Sequence, residues 1–218
     1  MPTELEAVAA EAAGCTRCRL HESRTQVVFG QGDPHADLMF VGEAPGFHED
    51  RQGLPFVGPS GQLLNRLLEG IGLRRQDVYI CNVVMSRPPQ NRDPQPDEIA
   101  ACRPWLDAQI RLVDPKVVVT LGNFAAKTLL ETTTGISRLR GRTYPFQGRV
   151  LLPTFHPAAA LHAQGRRTAG PGPLEAMEGD FRALAELLAA SRPASEPAPP
   201  DEAALVDEDR PSEQLGLF

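Results

Sequence analysis

The 218-residue sequence predicts an α/β fold with three layers, α/β/α, in which helices cover both faces of a central, mainly parallel four-stranded sheet. Four short apolar runs predict the strands. Three of them are nearly continuous in Val, Ile and Leu, as in strands buried on both faces. Segments with helical apolar spacing lie between and after these runs. This alternation indicates parallel strands joined by crossover helices.

Each predicted element has its own pattern in the chain. Thr3 and Glu6 form a capping box for a first short helix, which Gly14 ends. The predicted strands cover residues 38–42, 78–84, 117–121 and 150–153. The other predicted helices cover residues 61–71, 97–112, 123–130 and 175–190, and Pro104 is expected to kink or restart the second of these.

The length suits one substantial core, so residues 1–190 are predicted to form a single domain. From residue 191 to 218 the composition changes to Pro, Ala, Glu and Asp without an apolar period, which predicts a disordered acidic tail. The formal net charge is −6, but this tail holds seven acids and two bases, so the predicted domain is near neutrality. The acidity therefore does not exclude a nucleic-acid partner.

No apolar run in the sequence reaches membrane-spanning length, and the first residues lack the basic and apolar blocks of an export signal. We therefore expect a cytoplasmic protein with no membrane partner, and a monomer.

Ligands of α/β folds bind beyond the carboxyl ends of the strands. The first predicted strand leads into "GEAPG", where Gly42 and Gly46 allow close approach to the main chain. Glu43, Glu49 and Asp50 lie around the same loop. This arrangement predicts a ligand-binding loop with carboxylates close to the ligand.

A second turn-rich segment, "GLPFVGPSG", contains Phe56 outside any helical or strand period. Phe56 either plugs the loop onto the core or forms a platform for a flat ligand. Ser60 and Gly61 then open a helix whose free amides can receive a phosphate.

Two polar residues stand near the ends of later strands. Asn82 lies in an apolar strand, where an amide must find partners. It is either satisfied by loop backbone or used to read the edge of a nucleobase. His156 follows the fourth strand, and Pro157 fixes the turn there. A lone histidine is usually structural, but this one lies where the other strand ends converge.

Five motifs in this order and spacing resemble the family-4 uracil-DNA glycosylases: "GEAPG", "EDRQGLPFVGPSGQLL", "YICNVV" leading to "RPPQNRDP", "LG" with "AAKTLL", and "HPAAAL". The similarity covers about residues 12–190. It implies an α/β/α fold, removal of uracil from DNA and a [4Fe-4S] cluster.

The resemblance also implies a role for each matching residue. Phe56 would stack on an extruded uracil, Asn82 would bond its Watson–Crick edge, and His156 would donate toward O2. Glu43 and Glu49 would position the attacking water or support the sugar cation.

Other pocket positions follow from the same motifs. Gly42 and Ser60 would contact the substrate. Ala44 stands where better-known members of the superfamily have an aspartate, so general-base catalysis by that residue is absent. Leu161 would wedge into the gap left by the base, or belong to the core.

The cysteines only partly match the family. Cys15, Cys18 and Cys102 match three cluster ligands, but Ser86 stands at the fourth position, and Cys81 lies five residues earlier. The alternatives are a serine ligand, recruitment of Cys81, a labile three-cysteine cluster, or no cluster.

The last five residues, "QLGLF", resemble the bacterial sliding-clamp-binding pentapeptide. The matching residues are Gln214, Leu215, Leu217 and Phe218. A polar residue followed by apolar ones can insert into an apolar groove. The sliding clamp is therefore an expected partner beside uracil-containing DNA.

The first functional hypothesis is a monofunctional uracil-DNA glycosylase that leaves an abasic site. The alternative, motivated by Ala44 and Ser86, is a non-catalytic or covalently trapping uracil-DNA-binding module tethered to the clamp. A third possibility keeps the enzyme but shifts its base to hypoxanthine, xanthine or mismatched thymine.

Overall fold

The computed structural model describes residues 3–163 and 172–191. Of the predicted tail, 191–218, residue 191 ends the last helix, and residues 192–218 with the clamp-binding motif lie outside the described residues. The strands are β1 Gln31–Gly32, β2 Leu38–Gly42, β3 Tyr79–Asn82, β4 Val117–Leu121, β5 Tyr144–Phe146 and β6 Arg149–Thr154. The helices are α1 Glu4–Ala13, α2 Phe47–Gln52, α3 Pro59–Glu69, α4 Pro96–Val113, α5 Asn123–Leu130, α6 Ile136–Leu139, α7 Pro157–His162 and α8 Pro173–Ser191.

The described strands form one sheet in the order β1-β3-β2-β4-β6-β5. The four central strands are parallel, whereas β1 and β5 pair antiparallel at the edges. The predicted α/β fold with a mainly parallel sheet is confirmed, but the strand count of four is wrong. Neither edge strand has an apolar run, since β1 is two residues long and β5 contains a proline.

Both faces of the sheet are buried, as the continuous apolar strands predict. Met39 and Val41 of β2 pack into a core with helices α4 and α5. Leu38 and Phe40 point into a second core with α3 and α8. The Phe40 ring stacks on the Phe181 ring of α8 at 5.8 Å. The molecule therefore has the three layers that the alternation predicts.

The helix predictions hold with small changes of bounds. The capping box of Thr3 and Glu6 starts α1, and α5 spans the predicted residues. Helix α4 passes through Pro104 without a restart, so that alternative is wrong. Helices α2, α6 and α7 were not predicted, because four to six residues are too few for an apolar period to show.

Within residues 3–163 and 172–191, no helix combines the length and apolarity that crossing a membrane requires.

Candidate functional site

A cleft of about 630 Å³ opens at the carboxyl ends of the central strands. Seven of the predicted catalytic and substrate-binding residues line it: Glu43, Ala44, Glu49, Phe56, Ser60, Asn82 and His156. They come from four separate segments of the chain. The sheet brings them together because the parallel strands β2, β3 and β6 all end at this edge.

The floor of the cleft depends on Gly42. Gly42 and Asn82 are register partners at the ends of β2 and β3. A Cβ atom on Gly42 would stand 2.4 Å from the Asn82 amide oxygen and 2.5 Å from the Phe56 ring. The absence of a side chain at this position therefore lets the amide and the ring approach each other.

The Asn82 side chain is 1% exposed, and its Oδ1 atom has no hydrogen-bond partner among the described residues. Loop backbone does not satisfy this atom, so the purely structural alternative has no support. An unpaired buried acceptor costs free energy unless a ligand or water pairs with it.

Phe56 is held in a strained backbone conformation, with φ at 51°. The Arg75 guanidinium donates to the Phe56 carbonyl at 3.0 Å and also to the Pro55 carbonyl. On the other side, a Cβ on Gly61 would stand 1.7 Å from the Phe56 oxygen, so α3 packs directly on this turn. Arg75 could not be predicted from the sequence, since nothing in its local pattern connects it to residues about twenty positions earlier.

His156 forms the N-cap of α7, and its ring lies near Phe56. The ring centroids are 5.6 Å apart. The Ala158 backbone N–H donates to His156 Nδ1 at 3.2 Å, so in the neutral imidazole the proton resides on Nε2. Burial lowers the pKa of His156 to about 4, against a smaller opposing effect of Glu49. At neutral pH this side chain is therefore an uncharged Nε2–H donor.

Gly122, which follows β4, packs closely against the His156 side chain. Its φ is +92°, and a Cβ there would stand 2.9 Å from the His156 Cβ. The "LG" motif of the sequence therefore marks a close backbone contact with the imidazole.

The two glutamates differ in their environments. Glu49 Oε1 accepts hydrogen bonds from the backbone N–H groups of Val57 and Gly58, at 3.0 and 2.8 Å. Glu49 thereby holds the loop that carries Phe56. Glu43 is half-buried, and burial, with a smaller effect of Asp93, raises its pKa to about 7. Glu43 can consequently exchange a proton near neutral pH.

Leu161 is half-buried in α7 and packs against the core that contains Phe56. It does not line the cleft in the described part of the chain. Its role as a DNA wedge stays a prediction.

Three cysteines lie near one another, away from the cleft. The Trp105 indole N–H donates to Cys15 Sγ at 3.4 Å. Burial, and to a smaller extent the thiols of Cys18 and Cys15, raises the pKa of Cys102 to about 11. Cys81 lies buried in β3, and burial alone raises its pKa. Cys15 and Cys18 are thus close enough to Cys102 to affect its pKa, whereas no other cysteine contributes to the raised pKa of Cys81.

Ser86 lies beside this cysteine group. It is buried, and its hydroxyl accepts a hydrogen bond from Arg24 at 3.2 Å. Burial raises the pKa of Cys18 and of Cys102, and the same arginine opposes this effect slightly. Among residues 3–163 and 172–191, no three His, Cys, Asp or Glu side chains are arranged to hold a metal ion. The described residues therefore do not form a ready metal site, although thiolates such as those of Cys15, Cys18 and Cys102 are the donors that iron-sulfur clusters take.

Comparison with known proteins shows the family of the chain. Residues 29–178 match the model of the uracil DNA glycosylase superfamily. The chain belongs to this superfamily. It is 43% identical to a type-4 uracil-DNA glycosylase of Sulfurisphaera tokodaii, over 84% of each chain. It is 42% identical to a type-4 uracil-DNA glycosylase of Archaeoglobus fulgidus, over 87% of this chain and 96% of the relative. A third relative of that name, from Thermotoga maritima, is 46% identical over 72% of this chain and 83% of its own.

Proposed function

We propose that this superfamily member is a DNA repair enzyme that hydrolyses the N-glycosidic bond of uracil in DNA and leaves an abasic site. The observation that carries the proposal is the convergence of Phe56, Asn82 and His156 on one cleft. A stacking ring, an amide and a neutral hydrogen-bond donor are the groups that a flat pyrimidine can use. The sequence relationship to the type-4 enzymes supports the same conclusion.

Recognition begins when the uracil leaves the base stack, because a base inside DNA cannot reach the cleft. The extruded ring lies on Phe56. The Asn82 Oδ1 atom accepts from uracil N3–H, and the amide N–H donates to O4. Cytosine has an amine and an unprotonated nitrogen at these positions, so the same amide orientation leaves buried groups unpaired.

His156 assists the departure of the base. As the bond between uracil N1 and the sugar C1′ lengthens, its electron pair passes to the base and negative charge collects on O2. The Nε2–H of His156 donates to that oxygen. Because Ala158 fixes the tautomer, this donor is oriented before the reaction starts.

A water molecule then forms the new bond to C1′ and loses a proton. Glu43 positions this water or accepts its proton, since a pKa of about 7 allows the carboxyl group to be ionised at neutral pH. Glu49 places the loop of Phe56 and adds negative charge near the sugar cation. Ala44, which lines the cleft, has no group that could act as a base.

The experiment is excision of uracil from an oligonucleotide, followed by alkaline cleavage of the abasic site. The protein should release many uracils per chain from uracil-containing DNA and none from the matched thymine-containing strand. A stable protein–DNA adduct on denaturing gels, with less than one turnover, would instead support the trapping module. Oligonucleotides with hypoxanthine, xanthine or mismatched thymine define the base range.

We also propose that Cys15, Cys18 and Cys102 hold an iron-sulfur cluster. Three neighbouring thiols and the buried Ser86 hydroxyl support this donor set. When bound, such a cluster would cross-link the segment after α1 to α4. Iron and sulfide assays on anaerobically purified protein test it, and protein without iron would refute it.

We further propose that Gln214, Leu215, Leu217 and Phe218 bind the bacterial sliding clamp. The sequence pattern alone supports this, since these residues lie outside the described part of the chain. Co-elution of the protein with purified clamp, lost in Leu217→Ala with Phe218→Ala, is the expected result. Equal co-elution of the double variant would contradict it.

A further inference from the structure

Beside the uracil-DNA cleft, one aromatic ring is not used by the proposed reaction. Phe47 begins α2, lines the cleft and is 48% exposed. Phe56, by contrast, is 5% exposed and held within the site. Phe47 therefore presents an aromatic face at the mouth of the cleft, where a ligand can cover it.

Two arginines lie beside this ring. The guanidinium carbon of Arg87 is 5.1 Å from the Phe47 ring centroid, and that of Arg51 is 5.9 Å from it. Arg87 is also fixed by its Nε–H, which donates to the Asn91 side chain at 2.6 Å. The ring and the two cations thus form one exposed group, which we name the Phe47 platform.

The charges of the Phe47 platform are available to a ligand. Arg92, which lines the cleft, is paired with Glu98 at 2.6 Å. Within residues 3–163 and 172–191, neither Arg51 nor Arg87 forms an ion pair. Two unpaired guanidinium groups flanking an aromatic face match a nucleic-acid strand, whose bases stack on rings and whose phosphates pair with arginine.

We propose that the Phe47 platform binds the DNA strand next to the extruded uracil. The Phe47 ring stacks on an adjacent base, and Arg51 and Arg87 contact the flanking phosphates. This inference rests on the proposed function, because the strand reaches the platform only when its uracil enters the cleft. The platform retains the substrate after the base has left its own stack.

The test measures coupling between Phe47 and the neighbouring base. Single-stranded oligonucleotides carry 2′-fluorodeoxyuridine, whose electron-withdrawing fluorine slows cleavage by opposing positive charge on the sugar. In two of them, the base on the 5′ or the 3′ side of the uracil is replaced by an abasic analogue. Binding of wild type, Phe47→Ala and Phe47→Trp is measured with each. Leu174→Ala is the matched control, since Leu174 is 38% exposed and lines a different depression.

Removing the adjacent base on one side should weaken wild-type binding about 5- to 100-fold, the usual range for one base stacked on an aromatic side chain. The affinity of Phe47→Ala for the intact strand should be reduced by the same factor. Its affinity should not fall further when the adjacent base is replaced by the abasic analogue. Phe47→Trp and Leu174→Ala should behave like wild type. Phe47→Ala and base removal each reduce the affinity by some factor. If the two factors multiply when both changes are made, for the 5′ base and for the 3′ base alike, the platform does not stack on a neighbouring base.

The arginines are tested by salt dependence. Arg51→Gln and Arg87→Gln should each reduce the slope of log affinity against log salt by about 0.7, the value for one phosphate contact with a single strand. Arg111→Gln, on the exposed last turn of α4 before β4, should leave the slope unchanged. Unchanged slopes in both platform variants would overturn the phosphate contacts. Uracil excision by these variants is scored in parallel, because its complete absence in wild type would refute the proposed function instead.

Discussion

The Phe56 ring lies 5.6 Å from the His156 imidazole, with an angle of 34° between the two planes. A base stacked on Phe56 therefore has its edge within reach of the histidine. The ring is placed by Arg75 and Gly61, and the imidazole by Ala158 and Gly122. The proposed base recognition and leaving-group stabilisation thus depend on one arrangement of backbone turns.

His156→Ala should lower the single-turnover excision rate about 10²- to 10³-fold, as loss of one preorganised donor does elsewhere. Affinity for uracil-containing DNA should change little, because the donor acts mainly as charge develops. Rapid-quench excision and equilibrium binding measure the two quantities. Loss of affinity with an unchanged rate would contradict a catalytic role.

Gly42→Ala should reduce excision by about 100-fold, because the new methyl group must displace the Asn82 amide or the Phe56 ring. Gly135→Ala is the matched control, since no atom lies within 4 Å of its Cβ position. Circular dichroism and thermal melting establish that both variants fold. Full activity of a folded Gly42→Ala protein would show that the close approach is not needed.

The rate of wild-type excision should fall as the pH decreases below about 7, because Glu43 becomes protonated there. The His156 pKa of about 4 lies too low to cause this decrease. Glu43→Gln should lower the excision rate at high pH and abolish the rise of the rate between about pH 6 and 8. Asp93→Asn should shift this rise of the rate to lower pH, since Asp93 adds to the effect of burial that raises the pKa of Glu43. An unchanged profile in both variants would exclude Glu43.

The same raised pKa affects stability. The folded-state pKa of Glu43, about 7, lies above its ordinary value of 4.5, so folding favours the protonated form. Wild type should therefore lose stability relative to Glu43→Gln as the pH rises from about 4.5 through 7. Thermal melting of both proteins at several pH values measures this difference. A constant difference in melting temperature would contradict the shifted pKa.

Arg75→Ala should weaken substrate affinity and excision together, because the Phe56 turn loses two hydrogen bonds from a charged donor. A loss of about 1.5–3 kcal/mol is typical of such bonds. Arg74→Ala is the control, since the Arg74 side chain bonds Asp77 and Gln76 and has no hydrogen bond to the Phe56 turn among the described residues. Equal activity of the two variants would show that Arg75 does not position Phe56.

Ser86→Cys should make the proposed iron-sulfur cluster more resistant to loss of iron in air, because a thiolate replaces the hydroxyl beside the three thiols. Iron content and visible absorption are followed over time in air. Ser137→Cys, at an exposed position of α6, controls for an added thiol. Identical iron loss in wild type and Ser86→Cys would place Ser86 outside the cluster.

The central strands and most site residues could be predicted from the sequence for a physical reason. Short continuous apolar runs rich in Val and Ile favour buried strands, and polar residues at or just beyond the ends of these runs stand out, as Asn82 and His156 do. Parallel pairing then brings the strand ends to one edge. The edge strands, Arg75 and the Phe47 platform could not be predicted, because they depend on contacts between distant segments. The positive φ of Phe56 likewise arises from packing against Gly61 and Arg75 rather than from its own residue type.

Nuclear magnetic resonance of the protein titrated with free uracil tests the central claim most directly. The Asn82 side-chain amide and the His156 Nε2–H signals should shift together, with one dissociation constant, and should not respond to cytosine. If the uracil-dependent shifts fall elsewhere, or if these two groups respond with different dissociation constants, they do not form a single uracil pocket.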